Sequence, residues 1–550
     1  MFKHAPVKFF AAFLVVALAG LSISDIVNSA FQEKAFIASD KNQVEAFLLN
    51  DEGKLTETAY LDRGRAVEVT GKTMKDGQGK ALAEVKLGDD KYYIPKKNIT
   101  DSRDNVVKEE KVFVRTPVTV YKNESGPEIE GFAPKGTELQ VTGFDKVGKG
   151  GIVNKYKVKT DGQEGYVYGS YMAFTKEDAE KVYNEHGEYD AAKKDKYGME
   201  LYAGSAENLD YYPKERPEIK GNDFCEEART MYLNCYAAVN NEEYIKLIKD
   251  SGCNAVVIDI KSGILSYESP VAKEYSPASY DKAHFSQEEF VKAVKAFKDE
   301  GIYTIGRITV FKDNYYAKDH PEDCINTPSS DSGWPSVYSR NVWEYNVTLA
   351  AEAIELMDFN EIQFDYVRFP EAAYDMSLNP ETDFRNVYEE EKAQAVQNFC
   401  FYATDTIHEA GAYVSIDVFG ECSGGYVAAY GQYWPAISNV VDAISSMPYT
   451  DHFGRTDTWS EPKSVMSVWA AGAAKGQKQI PTPAAARTWI TGYNTPFWAP
   501  SVNYDTEKLK QQIDALYEAG LDGGFIPWNS ASPIDKYREY SDIWSYGKRR

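Results

Sequence analysis

The 550-residue sequence is poor in the residues that usually hold metals: it has six histidines and six cysteines. No two cysteines stand at the C-x₂-C spacing of a zinc site. Cys225, Cys235, Cys253, Cys324, Cys400 and Cys422 all fall from residue 225 onward. Spacing alone pairs none of them, and Cys235 and Cys253, on apolar strand-like runs, are expected as buried free thiols. No H-x₃-H pair occurs, and no G-x-S-x-G elbow follows a strand-like run, which disfavours zinc and Ser-His-Asp hydrolases. Positive charge is also short. Lys and Arg number 61 against 84 Asp and Glu, a formal net charge of −23. Nucleic acid and anionic membranes reward basic patches, so neither is an expected partner.

What the chain has in excess is aromatic surface, with 40 Tyr in 14% aromatic content. That exceeds the needs of a core and suits stacking on sugars or peptides. At roughly 150 residues per domain, the length implies several units. Lys3 and Lys8 precede the apolar run Phe9–Leu21, which is short for a membrane span. Residues 1–30 are therefore expected to be a signal peptide cut near Ser29 or Ala30, or else an uncleaved anchor, and the rest is exported to the cell surface or beyond.

Two β-rich units follow, at 35–102 and 111–174, as a weak internal repeat. Gly64-Arg-Ala-Val-Glu-Val-Thr-Gly71 in the first parallels Gly136-Thr-Glu-Leu-Gln-Val-Thr-Gly143 in the second. Alternating apolar residues between Gly- and Asp-rich turns predict short antiparallel strands. With Val118-Thr-Val-Tyr121 and the closing Gly165-Tyr-Val-Tyr-Gly-Ser-Tyr171, the second unit resembles a bacterial SH3 domain, and the first resembles one more weakly. The resemblance implies cell-wall peptide as a partner, unless the units are spacers. Residues 175–224 form a linker, helical over Thr175–Ala192 and extended over Leu209–Asn222, where Pro213, Pro217 and Gly221 fall.

From 225 to 550 two patterns alternate. Apolar, β-rich runs recur at Met231–Tyr236, Ala255–Lys261, Tyr303–Val310, Glu361–Phe369, Tyr413–Gly420, Ala443–Tyr449, Arg487–Gly492 and Gly524–Asn529. Helical stretches such as Gln287–Asp299, Asn341–Met357 and Thr506–Ala519 separate them. In the second of these, Leu349, Ala350, Ala353, Ile354 and Met357 share one face. Eight strands alternating with helices predict the α/β class and a (β/α)₈ TIM barrel. No Gly-rich phosphate loop follows the first strand, which disfavours an open doubly wound sheet.

Barrel enzymes act at the C-terminal ends of their strands, and polar residues inside such strands need a reason. Several are present: Asp259 and Lys261, Arg307, Asp365 with Arg368, Asp417 with Glu421, and Trp528 with Asn529. Strand period two puts Asp259 and Lys261 on one face with Val257, Asp365 with Gln363, and Asp417 with Ser415, all facing the barrel mouth. On neighbouring strands Asp365 and Asp417 would lie about 5 Å apart. A retaining glycosidase needs that separation, whereas about 6.5–9.5 Å would suit inversion. Asp365 is thus the leading catalytic candidate, with Asp417 or Glu421 as its partner. Asp259, Lys261, Arg307, Tyr366, Arg368, Trp528 and Asn529 are candidates to bind substrate. The alternative for the charged set is a structural ion network.

Met231-Tyr-Leu-Asn, Val257-Ile-Asp-Ile-Lys261, Gly306-Arg-Ile and above all Gln363-Phe-Asp-Tyr-Val-Arg-Phe-Pro370 resemble a family of bacterial barrel proteins classed with glycoside hydrolases, a domain of unknown function related to the α-amylase and GHL-type barrels. The resemblance covers about Thr230–Trp544. It implies a strand-four nucleophile at Asp365 and a strand-five acid at Glu421. Two departures tell against amylase activity itself: Gln363 stands where amylases have Arg, and strand seven lacks a third carboxylate. The function expected is therefore hydrolysis of a polysaccharide or peptidoglycan, with no metal or cofactor. Trp334, Tyr366, Tyr449, Trp498 and Trp528 are the candidate sugar platforms. The rivals are a metal-dependent cell-wall deacetylase or amidase using His284, His320 or His452, and a non-catalytic wall-binding protein.

Overall fold

The structure is a computed structural model that describes residues 33–160, 163–183, 194–195, 197–328, 330–452, 459–495 and 501–546. The proposed signal or anchor and Trp498 lie outside these residues. Among them, no helix is long and apolar enough to cross a membrane.

The N-terminal region is all-β, as its alternating pattern predicts. Between Glu33 and Thr100 seven strands form one antiparallel sheet, in the order Leu55–Asp62, Gln43–Leu49, Asp90–Pro95, Ala81–Leu87, Ala66–Lys75, Glu33–Ile37, Ile99–Thr100. Its core is the inward alternate set that includes Ile37, Val44, Leu61, Val67, Val85 and Ile94. A second seven-stranded sheet runs between Lys111 and Ala173, with Val118–Tyr121 pairing antiparallel to Ile129–Ala133.

Eight parallel strands then close a barrel among the described residues. They are β1 (Ala228–Leu233), β2 (Ala255–Ser262), β3 (Tyr303–Thr309), β4 (Glu361–Asp365), β5 (Tyr413–Phe419), β6 (Ala443–Met447), β7 (Ala485–Ala486 and Thr488–Thr491, either side of Arg487) and β8 (Gly524–Trp528). Each is hydrogen-bonded to the next, and the ring shuts where Ala228 of β1 meets Gly524 of β8. Here the closing seam requires glycine: Gly524 has φ +109°, and a Cβ on it would lie 2.0 Å from the Ala228 carbonyl oxygen. Eight helices follow the strands: α1 (Glu242–Ser251), α2 (Gln287–Asp299), α3 (Arg340–Met357), α4 (Lys392–Ala410), α5 (Trp434–Ser438), α6 (Pro462–Gln477), α7 (Thr506–Glu518) and α8 (Asp542–Tyr546). The predicted apolar face of α3 is the buried one, and it includes Leu349, Ala350, Ala353, Ile354 and Met357. Cys235 and Cys253 are buried free thiols, as expected.

The barrel interior has an apolar arc and a polar arc. Tyr232, Val257, Ile305, Trp489 and Ile526 build the first. The second is stacked along β4 and β5. At its base Arg487 donates to Glu361 at 2.6 Å, both fully buried. Above them Gln363 donates to Ser445 at 3.2 Å. Asp365 and Asp417 come next, at the open end.

Two segments before the barrel depart from expectation. The linker helix covers only Lys176–Glu180: Lys181 ends it with φ −58° and ψ 144°, and Tyr183 beyond packs against a buried cluster, while residues 184–192 lie outside the described residues. Leu209–Asn222 holds no helix and ends in a turn that closes Ile219 on Asn222, and it is no free tether. Ala203, Ala206, Leu209 and Tyr211 are buried among Ala393, Tyr433, Ala436 and Ile480 of the barrel. Tyrosines 121 and 171 of the second β region are likewise used up on α4. Their rings lie 5.9 Å from Tyr402 and 5.3 Å from Phe401, and the Tyr171 hydroxyl donates to Asp405 at 2.7 Å.

Candidate active site

The C-terminal ends of β2, β3, β4 and β5 deliver Asp259, Arg307, Asp365 and Asp417 to one spot, and Arg307 is its centre. Its Nη1 donates to Asp259 Oδ1 at 2.7 Å, and its Nη2 donates to Asp365 Oδ2. Its Nε stands 3.6 Å from Asp417 Oδ2. Register explains the convergence: Asp259 pairs with Arg307, Arg307 with Gln363, and Gln363 with Ser415, so one inward face continues across four strands. Burial works against the charge of Arg307, but the carboxylates of Asp259 and Asp365 outweigh it and push its pKa further up.

The three carboxylates are not equivalent. Asp259 is held by the Tyr232 hydroxyl at 2.6 Å. Asp365 receives, besides Arg307, the backbone N–H of Tyr366 at 2.6 Å. Asp417 is 1% exposed and accepts from Trp489 Nε1 at 2.7 Å, while its other oxygen has no hydrogen-bond donor. Burial, reinforced by the negative charge of Asp365, raises the Asp417 pKa well above the carboxylate range, with Arg307 opposing.

Two connected hollows open above this set. One of about 440 Å³ is bordered by Asp365, Glu421, Tyr449, Trp489, Tyr493 and Trp528. The other, of about 630 Å³, shares Arg307, Tyr366 and Trp528 with it and extends past Asp259. Glu421 sits on the 3₁₀ turn Gly420–Gly424 that follows β5. The hydroxyls of Tyr426 and Tyr430 donate to it at 2.6 and 3.1 Å, fixing the carboxylate at the cavity wall. Asp417 does not border that cavity.

Lys261 is not at the mouth. A bulge after Asp259 shifts the register so that Lys261 pairs with Ile308, and the extra residue reverses its face. Its Nζ points into the helix layer, donating to Asp313 at 2.6 Å and to Asn346 of α3 at 2.7 Å. Arg368 is not on a strand either. β4 stops at Asp365 because Tyr366 turns the chain with φ +57°. Arg368 is buried 4.1 Å from the Phe419 ring and donates to Glu371 at 2.7 Å. Asn529 ties its loop to the end of β7, donating to the Gly492 carbonyl at 3.3 Å. Trp528, Tyr366 and Tyr449 do border the cavity, and Trp334 lies 6.4 Å from Tyr366.

Of the histidines, His452 borders the smaller hollow and His284 the larger. Among the described residues one metal-type group occurs, His320 with Glu322 and Asp323. Both ring nitrogens of His320 are already engaged, by the Tyr275 carbonyl at 2.6 Å and Glu322 at 3.2 Å.

Sequence reasoning did not single out Tyr232, Trp489, Tyr426 and Tyr430. Trp489 carried a signal, as a residue with a polar N–H inside a strand run; the Glu421 pair of tyrosines carried none.

A hypothetical protein from Ruminiclostridium thermocellum ATCC 27405 is 28% identical over 34% of this chain and 97% of its own, with a TM-score of 0.28. The PgaB (BpsB) glycoside hydrolase domain from Bordetella bronchiseptica is 13% identical, over 58% and 99%, with a TM-score of 0.40. A GH18 chitinase from Pseudoalteromonas aurantia is 12% identical, over 58% and 100%, with a TM-score of 0.36. No curated protein matches the chain. Residues 230–533 match the family described as "Putative glycosyl hydrolase domain", and the chain belongs to that family.

Proposed function

We propose that the barrel cleaves glycosidic bonds of an extracellular or cell-wall polysaccharide, with Asp365 as nucleophile and Glu421 as acid and base. The observation that carries this is the shared border: Asp365 and Glu421 face one aromatic cavity of about 440 Å³. Asp365 is fitted to attack because Arg307 and the Tyr366 N–H both donate to it and hold the carboxylate in place. Its oxygen bonds to the anomeric carbon as Glu421 passes a proton to the leaving oxygen; Glu421 then takes a proton from water, which releases the sugar. Asp417 acts through others, holding Trp489 at the cavity wall and facing Arg307 from behind. Trp528, Tyr449 and Tyr493 offer apolar faces to the sugar rings. The apolar run at Phe9–Leu21 supports export, and the SH3-like pattern supports attachment at the wall.

The test is hydrolysis of a panel of cell-wall and extracellular glycans, with products followed by NMR. Retention at the anomeric carbon is expected. Asp365→Asn should lower kcat by about 10³-fold or more, and Glu421→Gln should be partly rescued by azide. Full activity of a folded Asp365→Asn variant would refute the assignment.

A further inference from the structure

The two hollows differ in charge, and the difference points to a chemical class of substrate. The larger one, about 630 Å³, is lined by Arg307, Lys312 and one carboxylate, Asp259. Asp259 is already saturated by Arg307 and by the Tyr232 hydroxyl. The Lys312 ammonium, 4.9 Å from the centre of the Tyr366 ring, is therefore a cation that the lining itself does not neutralise. Glu371, which feels the Lys312 charge, is committed to Arg368 at 2.7 Å. Arg307 is itself spent on Asp259, Asp365 and Asp417, so Lys312 is the cation that this lobe offers a ligand.

The same lobe has a platform. Tyr236 is 54% exposed at its rim, and its hydroxyl lies 2.9 Å from His284 Nδ1.

We infer that this lobe is a subsite for a sugar bearing a carboxylate, with Lys312 as its specificity-determining residue and Tyr236 as its stacking face. The smaller, aromatic hollow takes the neutral neighbouring sugar. This rests on the reading of the barrel mouth as a glycan site. An ammonium that meets a carboxylate in a partly enclosed cleft makes a charge-assisted hydrogen bond, which discriminates against the uncharged analogue.

The experiment measures binding to the full-length Asp365→Asn protein, so that hydrolysis is not needed for the readout. The probes are matched pairs: peptidoglycan glycan strands, hyaluronan hexamer and oligogalacturonate, each beside its carboxyl-reduced form. At least one carboxylated glycan should bind about ten-fold more tightly than its reduced partner. Lys312→Met in the same background should erase that preference and leave the reduced partner's affinity unchanged, and raising salt to 1 M should shrink it. Equal affinity within every pair, no binding by any carboxylated glycan, or equal losses for both members in Lys312→Met would overturn the inference. Lys312-dependent binding with no hydrolysis by the wild-type chain would instead keep the subsite and remove the hydrolase reading.

Discussion

Lys392 offers a sharp test of the barrel's internal electrostatics. It is the first residue of α4, buried, and among the described residues it has no carboxylate partner. Its Nζ donates to the Tyr202 carbonyl at 2.8 Å and to the Ser377 hydroxyl at 2.6 Å, with the Phe384 ring 4.8 Å away. Burial pulls its pKa from 10.5 down to about 8. Below pH 8 the lysine is charged in both folded and unfolded chains, and the cost of burying the charge is fully present. As pH rises from 8 towards 10.5, the folded chain releases its proton first, so stability increases. Between pH 7 and pH 10 the gain is about 2.5 kcal/mol. Lys392→Met lacks this term. Urea unfolding followed by tryptophan fluorescence isolates the barrel, because the first tryptophan in the sequence is Trp334. Buried tyrosines such as Tyr232 and Tyr449, whose pKa values burial raises, lower the stability of both proteins at high pH and cancel in the difference. The stability of the wild type relative to Lys392→Met should therefore climb by about 2.5 kcal/mol over that range. Parallel pH profiles would refute the reasoning.

Arg487→Met strands the fully buried Glu361 carboxylate and should cost about 3–5 kcal/mol in the same unfolding assay, most of it regained in the Arg487→Met/Glu361→Leu double variant. Gly524→Ala pushes a methyl into the Ala228 carbonyl at the seam and should cost about 3 kcal/mol or more, read as a lowered Tm. Asp417 binds its proton more tightly in the fold than in the unfolded chain, so wild-type stability falls as pH rises above the ordinary carboxylate range. Asp417→Asn removes that dependence, which has a limiting slope of about 1.4 kcal/mol per pH unit, and a comparison of unfolding at pH 5 and pH 8 measures it.

The barrel was legible because buried strands write themselves as short apolar runs, and each of the eight runs overlaps a strand. The inward face of Asp259, Asp365 and Asp417 followed from period two alone. Lys261 escaped the same rule because a bulge is one residue's worth of local geometry, fixed by the neighbouring strand and invisible in a single run. The run at Glu361–Phe369 was read too long because nothing in its residue types marks the left-handed turn at Tyr366. Whether Asp417 or Glu421 faces the cavity was not decidable from spacing. It depends on Trp489 reaching across from β7 and on two tyrosines folding back from the loop after β5.

The segment that packs Leu209 and Tyr211 into the barrel wall sets an order on how the chain completes itself. Lys214 hydrogen-bonds through its backbone to Thr482, 268 residues later, and Ser205 to Glu391, 186 residues later. A chain delivered from its N-terminus must hold these side chains unsatisfied until most of the barrel has emerged. The first β region, whose sheet closes between Glu33 and Thr100, relies on far shorter loops and can finish first. The slow, aggregation-prone stage of maturation is then the wait for residues near Ile480, and a barrel fragment begun at residue 225 would start life with an open, greasy groove along α4 and α5.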